Sequence, residues 1–435
     1  MGHGGVDLSV RGGRSAEGGA LKHAVVVGSG IVGLCSADAL LRRGFRVTVV
    51  ERDAQPGEGC SYGNGGLVVP SHFEPLAAPG MIMTGLRMLR SKESPFGFSG
   101  IPGLEMAGWM ARFARAGTKA HVERSAPILR DLNLASRRLF EERYGDVEAG
   151  YARRGELMVC RTVAGLEAES RIAKEASHLG LKTEILDKAG LAAFETGIEI
   201  DAAGAVYFED DAHLTPSLFM PALRKRVVEA GAEIRDNAEV CGFRTEAGRV
   251  KAVRLSHVEL EADEVVLAAG AWTGVLARSL GLRLPLLAGK GYGFTVTDPP
   301  AMPKYPAILV DGRVAVTPMA DGLRFVGTME LGLTQAPTTN EARLRGLRRS
   351  VAEAYPAFRD FDLTRYPVWA GLRPCAPDGM PYIGRSKRFA NVVFATGHGM
   401  MGLSLGPISG ELVAEVAAGS SPSIPLDLLS PDRYA

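Results

Sequence analysis

The chain has 435 residues, 46% of them hydrophobic, and its 50 Lys and Arg against 49 Asp and Glu leave a formal net charge of +1. So high an apolar fraction excludes a disordered chain, and so even a charge balance offers no electrostatic footprint for nucleic acid. Glycine is in excess at 54 residues, without the three-residue period of collagen.

Residues 1–22 are rich in glycine and show no apolar periodicity, so they are expected to form a disordered leader outside the fold. The run 24–41 could pass for an export signal, but it holds Gly28, Gly30, Gly33 and Asp38 and no small-residue cleavage site. It reads instead as a strand over 24–27, a glycine turn over 28–33 and a helix over 34–43 closed by Gly44. A second strand over 47–50 ends in Glu51, giving half of a βαβ unit. Residues 52–80 are expected to be an ordered loop, and 81–145 mostly helical with breaks at Pro95, Gly97, Gly100, Pro102 and Gly103.

Short strands around 156–160 and 205–208 flank a helix near 163–179. Thr215-Pro216 opens a helix running to Ala230, with either a kink at Pro221 or a later start. A β-meander is expected from 240–245, 249–255 and 265–268, and a second strand-rich stretch covers 289–329 with a turn at Asp321-Gly322. A helix over 340–354, a strand over 391–395 and a helix over 404–417 complete the order of elements.

The five cysteines are Cys35, Cys60, Cys160, Cys241 and Cys375, odd in number and never in a C-x-x-C pair. A disulfide framework or metal site is not expected, and a reducing cytoplasm is the simpler compartment. No segment reads as transmembrane; docking on the inner face of a membrane stays open.

The turn at Gly28, Gly30 and Gly33 meets three physical needs. The first glycine permits the turn, the second lets backbone approach a pyrophosphate, and the third lets helix pack on strand. The helix N-terminus then offers N–H groups to phosphate, and Glu51 is placed to accept from ribose hydroxyls. A second match, Gly397-His398-Gly399-Met400-Met401-Gly402, follows the last strand. It is either a separate NAD site or another wall of the same dinucleotide site. No acidic strand end follows it, which favours one dinucleotide touched by both ends of the sequence.

Four stretches carry a resemblance to a known family: VVVGSGIVGL with Glu51, GCSYGNGGLVVP at 59–70, VVLAAGAWTGVL at 265–276, and GLRPCAPDGMPYIG with ATGHGMMGLSLGPISG. The chain resembles the D-amino-acid oxidase superfamily of FAD enzymes over about residues 23–420. Within it, it is most similar to bacterial D-amino-acid dehydrogenases. The resemblance implies an α/β fold: a Rossmann-type FAD-binding domain built from discontinuous segments plus a mixed or antiparallel-sheet substrate domain. The expected partition is 23–80, 211–282 and 370–420 for FAD, 81–210 and 283–369 for substrate, and a tail at 421–435.

By position, the resemblance implies that Gly28, Gly30, Ile31, Val32 and Gly33 hold the pyrophosphate of a non-covalent FAD, with Glu51 and Arg52 at the adenosine end. Ser61, Gly65, Gly66 and Leu67 would approach pyrophosphate and flavin, Val240 the adenine, and Gly270 and Trp272 the cofactor. Gly399, Met400, Met401, Gly402, Leu403 and Ser404 would aim a helix N-terminus at the flavin. Arg373 matches the family arginine that pairs with the substrate carboxylate; an exposed surface arginine is the alternative.

Tyr292 is a candidate substrate-side hydroxyl, or equally a half-buried sheet tyrosine. His398 and His72 lie in loops near the cofactor segments as candidate catalytic and pocket residues, with a satisfied structural histidine the commoner outcome. Met400 and Met401 wall the pocket or pack the core.

The implied reaction is hydride transfer from the substrate Cα to the flavin, giving an imino acid. The stretch 64–81 resembles dehydrogenases of cyclic imino acids, so D-proline or cis-4-hydroxy-D-proline is expected first. Acyclic D-amino acids come next, then glycine or sarcosine. The electron acceptor is O₂ or a quinone of the respiratory chain. A dinucleotide-binding protein without amine chemistry is the reading from another class, and the 371–384 motif argues against it.

Overall fold

The sequence HAVVV forms strand His23–Val27, buried at every position. It is paired on both edges, parallel to Arg46–Val50 on one side and to Glu264–Leu267 on the other. A strand flanked on both edges and covered on both faces has no solvent side, so its sequence carries no polar alternation. A computed structural model describes residues 21–435 apart from 56, 58, 101–102 and 334–337. The expected leader, except for residues 21 and 22, and the break at Pro102 lie outside the described residues.

Around this strand a six-stranded sheet runs in the order Tyr382–Arg385, Val392–Thr396, Glu264–Leu267, His23–Val27, Arg46–Val50, Glu233–Arg235. All neighbours are parallel except the first pair. Three separated stretches of sequence build one Rossmann-type sheet. Glu264–Leu267 therefore does not close the expected meander; that small sheet is completed by Glu259–Glu261 instead. The apolar run EVVL is buried throughout and takes the central parallel position beside His23–Val27, where both its faces are covered.

Helix Ile31–Arg42 starts three residues earlier than the sequence suggests. Its first N–H, from Ile31, is donated to the hydroxyl of Ser61, 30 residues away, at 2.9 Å. The start signal is tertiary, so no local cap marks it. The C-terminal helix Gly402–Ala418 lies against it. Gly406 sits over Ile31 and Gly410 over the Cys35 backbone. Advancing four residues along one helix matches four along the other, so the two run parallel with their N-termini at the same end.

Helix Pro216–Glu229 packs on the same core and continues through Pro221 without interruption. Thr215 precedes it, but its hydroxyl accepts the Ala320 N–H at 3.0 Å and makes no helix cap.

The second large sheet has nine strands. Eight run in the order Trp369–Cys375, Leu287–Val296, Gly322–Gly332, Val314–Met319, Ala307–Leu309, Glu156–Cys160, Gly204–Phe208, Thr183–Asp187. The ninth, Phe96–Ser99, pairs parallel with Gly322–Gly332. It falls in the stretch expected to be helical because four residues containing a glycine carry no strand pattern of their own. Thr183–Asp187 and helix Lys188–Phe194 are likewise absent from the sequence reading.

Two boundaries depart from the expected partition. The line at residue 370 cuts strand Trp369–Cys375, which pairs with Leu287–Val296 in the larger sheet. The long helix Lys119–Tyr144 packs on the Rossmann-type side: Leu129 and Leu132 meet Leu405, Ile408 and Leu412, and Phe140 and Tyr144 meet Phe219. The tail is docked as well, through an Arg433–Asp378 ion pair at 2.6 Å and the Arg433 guanidinium 3.7 Å above the Tyr382 ring. Among the described residues no helix is long and apolar enough to cross a membrane.

A side chain at Gly410 would strike the Cys35 backbone. Gly410→Val is expected to cost roughly 1–3 kcal/mol of stability by overpacking. A fall in the thermal unfolding midpoint of the variant, together with flavin loss, is the readout.

Candidate active site

Gly28 turns the backbone at φ +105°, a conformation L residues resist, and donates its N–H to Val50 O at 2.9 Å. A Cβ there would lie 2.6 Å from the Ala268 carbonyl oxygen, so strand and turn meet backbone to backbone. Just beyond, the Glu51 carboxylate is fixed at both oxygens. Oε2 accepts from the Ser29 N–H and hydroxyl at 2.7 and 2.8 Å, and Oε1 accepts from the Asp53 N–H at 3.1 Å. The Arg52 guanidinium lies 4.3 Å from the Trp272 ring centre, joining the segments that follow strands Arg46–Val50 and Glu264–Leu267.

These groups border a cavity of about 1140 Å³ that continues toward the nine-stranded sheet. Gly28, Gly30, Ile31, Val32, Glu51, Arg52, Ser61, Gly65 and Leu67 line one side of it. Val240, Gly270 and Trp272 line another, and His398, Gly399, Met400, Met401, Gly402 and Leu403 a third. The helices starting at Ile31 and Gly402 both open onto it, and neither has an acidic residue in its first turn. Two parallel dipoles thus present their positive ends to one space.

The loop 62–66 is pinned to the opposite sheet. Arg324 donates to the carbonyls of Tyr62 and Asn64 at 3.0 and 3.1 Å, and the Thr317 hydroxyl donates to Gly65 O at 2.6 Å.

On the far wall stands Arg373, in strand Trp369–Cys375. Gly291 and Gly371 face each other across neighbouring strands. The missing side chain at Gly291 leaves the space that the guanidinium fills. Nη1 donates to Thr328 O at 2.6 Å, from a residue held at φ +65°. Cys60 and Cys375 also flank it, and burial pulls its pKa down. Among the described residues no carboxylate comes within ion-pair distance of Arg373, although it lines the cavity. A desolvated guanidinium with free donors is a receptor for a planar anion.

Four of the anticipated residues lie outside the cavity lining. Gly33 abuts the Gly28 carbonyl and serves helix-on-strand packing. Gly66, at φ +74°, is pressed against the Leu214 carbonyl. Ser404 donates to Asn133 Oδ1 at 2.7 Å and accepts the Val69 N–H at 3.0 Å, tying three segments together. Tyr292 is fully buried in the sheet and donates its hydroxyl to Glu330, away from the cavity lining.

His398 does reach the cavity. Its Nε2 is engaged by Ser409 Oγ at 2.8 Å, and burial holds its pKa down to about 4, which favours the neutral ring. His72 lines the cavity too, with Nδ1 3.1 Å from Ser71 Oγ, and burial likewise lowers it to about 4.

The sequence reading missed the apolar part of the wall: Met81, Ile82, Leu86 and Leu89 from the 81–89 stretch, then Trp109, Phe113 and Met329. Ile82, Leu86 and Leu89 keep a helical i, i+4, i+7 spacing that could have shown one face. The Trp109 Nε1–H donates to Cys375 O at 2.9 Å, close to Arg373 in sequence, and nothing local reveals that.

A parallel sheet with a glycine turn, an acid-tipped second strand and a half-buried arginine opposite defines a dinucleotide-dependent enzyme acting on a small carboxylate. The chain belongs to the FAD-dependent oxidoreductase (DAO) family, which matches residues 23–416. It is 33% identical over 423 residues to the D-amino acid dehydrogenase of a Methylobacterium species, covering 94% of this chain and 98% of that one. The D-amino acid dehydrogenase of Granulibacter bethesdensis is 30% identical, with coverage of 94% and 99%.

In fold it is similar to glycine oxidase from Geobacillus kaustophilus (TM-score 0.72, 21% identity, 95% of this chain and 100% of that one). It is also similar to L-proline dehydrogenase from P. horikoshii (TM-score 0.69, 21% identity, coverage 95% and 98%). The protein is an FAD-dependent amino acid dehydrogenase or oxidase, of the D-amino acid dehydrogenase type. The cavity fits FAD: two helix N-termini suit its pyrophosphate and flavin, and a carboxylate fixed by Ser29 suits its ribose.

Replacing Glu51 by Ala removes that acceptor. FAD affinity should fall by roughly tenfold to a hundredfold, the worth of a hydrogen bond to a charged group. The ratio of flavin to protein absorbance after purification, and titration of the apoprotein with FAD, measure it.

Proposed function

We propose that the enzyme oxidises D-proline or cis-4-hydroxy-D-proline, with Arg373 binding the substrate carboxylate. The observation that carries this reading is the arginine itself: desolvated, without a carboxylate partner among the described residues, and set in the cavity wall that faces the two helix N-termini. A guanidinium holds a carboxylate by two parallel hydrogen bonds and so fixes both position and angle of the Cα–H bond. Met329, Trp109 and Phe113 give that end of the cavity an apolar surface suited to a ring of methylenes. Bound FAD would supply the acceptor for the hydride of Cα. The Cα–H bond breaks, a C=N bond forms, and the nitrogen gives up a proton to leave the cyclic imine.

The rest of the work is orientation and exclusion of water, which alone accounts for large rate factors. The curated relatives named D-amino acid dehydrogenases support the D configuration. They also favour an acceptor other than O₂, a quinone or another respiratory carrier. Glycine and sarcosine are the second reading, favoured by the fold likeness to glycine oxidase.

Anaerobic bleaching of the flavin by a panel of amino acids tests the substrate. D-proline or cis-4-hydroxy-D-proline is expected to exceed D-alanine by about tenfold or more in kcat/KM, within reach of pocket discrimination. Bleaching by glycine and sarcosine alone would reject the proposal. Turnover with a quinone analogue and negligible oxygen uptake is the outcome expected for the acceptor. Arg373→Met should raise KM and lower kcat/KM by about a hundredfold or more while the flavin spectrum is retained.

A further inference from the structure

Away from the anticipated cofactor residues, the loop at Ser71 and His72 meets strand Glu156–Cys160 and the turn before Ala212–His213. There two carboxylates are buried together. Glu156 and Asp211 are each 0% exposed, and neither Glu156 oxygen nor Asp211 Oδ2 finds an N–H or O–H donor among the described residues. Asp211 Oδ1 accepts the Ser71 N–H at 2.9 Å, and the Ser71 hydroxyl bonds the same carboxylate. That hydroxyl is also 3.1 Å from His72 Nδ1, while Glu156 Oε2 is 3.8 Å from it. His72 has 28% of its side chain accessible and lines the cavity. A continuous line of polar groups therefore runs from the cavity through His72 and Ser71 to a buried acid pair.

Nearby charges do not neutralise the pair. Arg137 and Arg153 are both bound to Asp210, at 2.8 and 3.2 Å, and Asp210 itself adds negative charge. Lys182 reaches Asp210 only through its backbone N–H. Burial and Arg154 both favour the neutral form of His213, and Glu74 lines the cavity. Two carboxylates cannot both stay ionised in such a site. Burial raises both above the usual carboxylate range, Glu156 further by the charge of Asp211. One shared proton resolves the conflict and leaves one carboxylate able to take another.

We infer that His72, Ser71 and the Asp211–Glu156 pair form a proton relay that removes the ammonium proton of the substrate before its Cα–H bond is broken. The inference rests on the amino-acid oxidation proposed above. An amino acid enters as the ammonium ion, whose nitrogen has no electron pair to push. The N–H bond breaks and its electron pair stays on nitrogen. The proton bonds to His72 Nε2, and the proton on Nδ1 passes by way of the Ser71 hydroxyl to the acid pair. No oxidant or co-reactant is consumed in this step. His72 is neutral because burial disfavours its charged form, so it carries the proton only in passing, and the pair stores it.

The test is the rate of flavin reduction against pH by stopped flow, for the wild type, Asp211→Asn and Ser71→Ala. The wild-type rate should fall toward acid pH, where the pair is already filled. Near neutrality the Asp211→Asn rate is expected to be lower by on the order of tenfold to a hundredfold, with substrate affinity unchanged. The deficit should vanish at alkaline pH, where the substrate amine arrives without its extra proton. Ser71→Ala keeps both carboxylates and should show the same alkaline recovery with a smaller loss.

A deficit of equal size at every pH, or none, would overturn the relay while leaving the function intact. Failure of every amino acid to reduce the wild type would overturn the function and the relay with it. One equivalent of a divalent metal in the purified protein, lost on Asp211→Asn, would also overturn it by assigning the three groups to a cation.

Discussion

Backbone contact between two parallel helices is the constraint from which the site follows. Gly406 and Gly410 let helix Gly402–Ala418 lie directly on helix Ile31–Arg42, offset by the same 375 residues at Ile31 and at Cys35. Parallel helices side by side bring like ends of their dipoles together, which costs energy by itself and rewards an anion placed at the shared N-terminal end. A diphosphate and an electron-rich flavin are such groups. The shared N-terminal end thus offers a cofactor backbone dipoles, in keeping with a net charge of +1.

The opposite wall works by contrast. Its sheet supplies Arg373, in space left by Gly291, where the guanidinium donates to the Thr328 carbonyl. A partly desolvated guanidinium is completed best by a planar anion that takes two of its hydrogen bonds. On the function proposed above, cofactor and substrate would both be met as anions, by dipoles on the helical side and by a full charge on the sheet side. The loop 62–66, tied to the sheet by Arg324 and Thr317, keeps the two walls in register. The acid pair behind His72 adds the complementary function, a place for the positive charge that the substrate brings in.

Much of the cofactor side is legible in the sequence because its signals are local. The Gly28 turn, Glu51 at a strand end and the Gly397–Gly402 turn each follow an apolar strand within a few residues. Conflicts arise where a tertiary partner overrides the local pattern. Helix Ile31–Arg42 starts where the Ser61 hydroxyl accepts its first N–H, not where the periodicity begins. Tyr292 offers a hydroxyl that the substrate could use, yet Glu330 from the neighbouring strand claims it. Gly66 is pressed against the Leu214 carbonyl, a contact with a distant segment that only the folded structure makes visible.

Sequence by itself showed the strand–turn–helix pattern at Gly28 and the second glycine turn at Gly397, which favoured one dinucleotide touched by both ends, while the family resemblance implied a cofactor domain built from three separated segments. It also singled out Arg373, through a motif of turn residues around it. Tertiary structure alone decided that Glu264–Leu267 leaves the meander for the central sheet, that Lys119–Tyr144 packs on the Rossmann-type side, and that Ser71, Glu156 and Asp211 meet behind His72. The reason is the range of the forces. Turn conformation and strand period act over a few residues and are written where they act. Burial, desolvation and the pairing of polar groups depend on what arrives from far along the sequence, 140 residues in the case of Asp211 and Ser71, and exist only once the protein has folded.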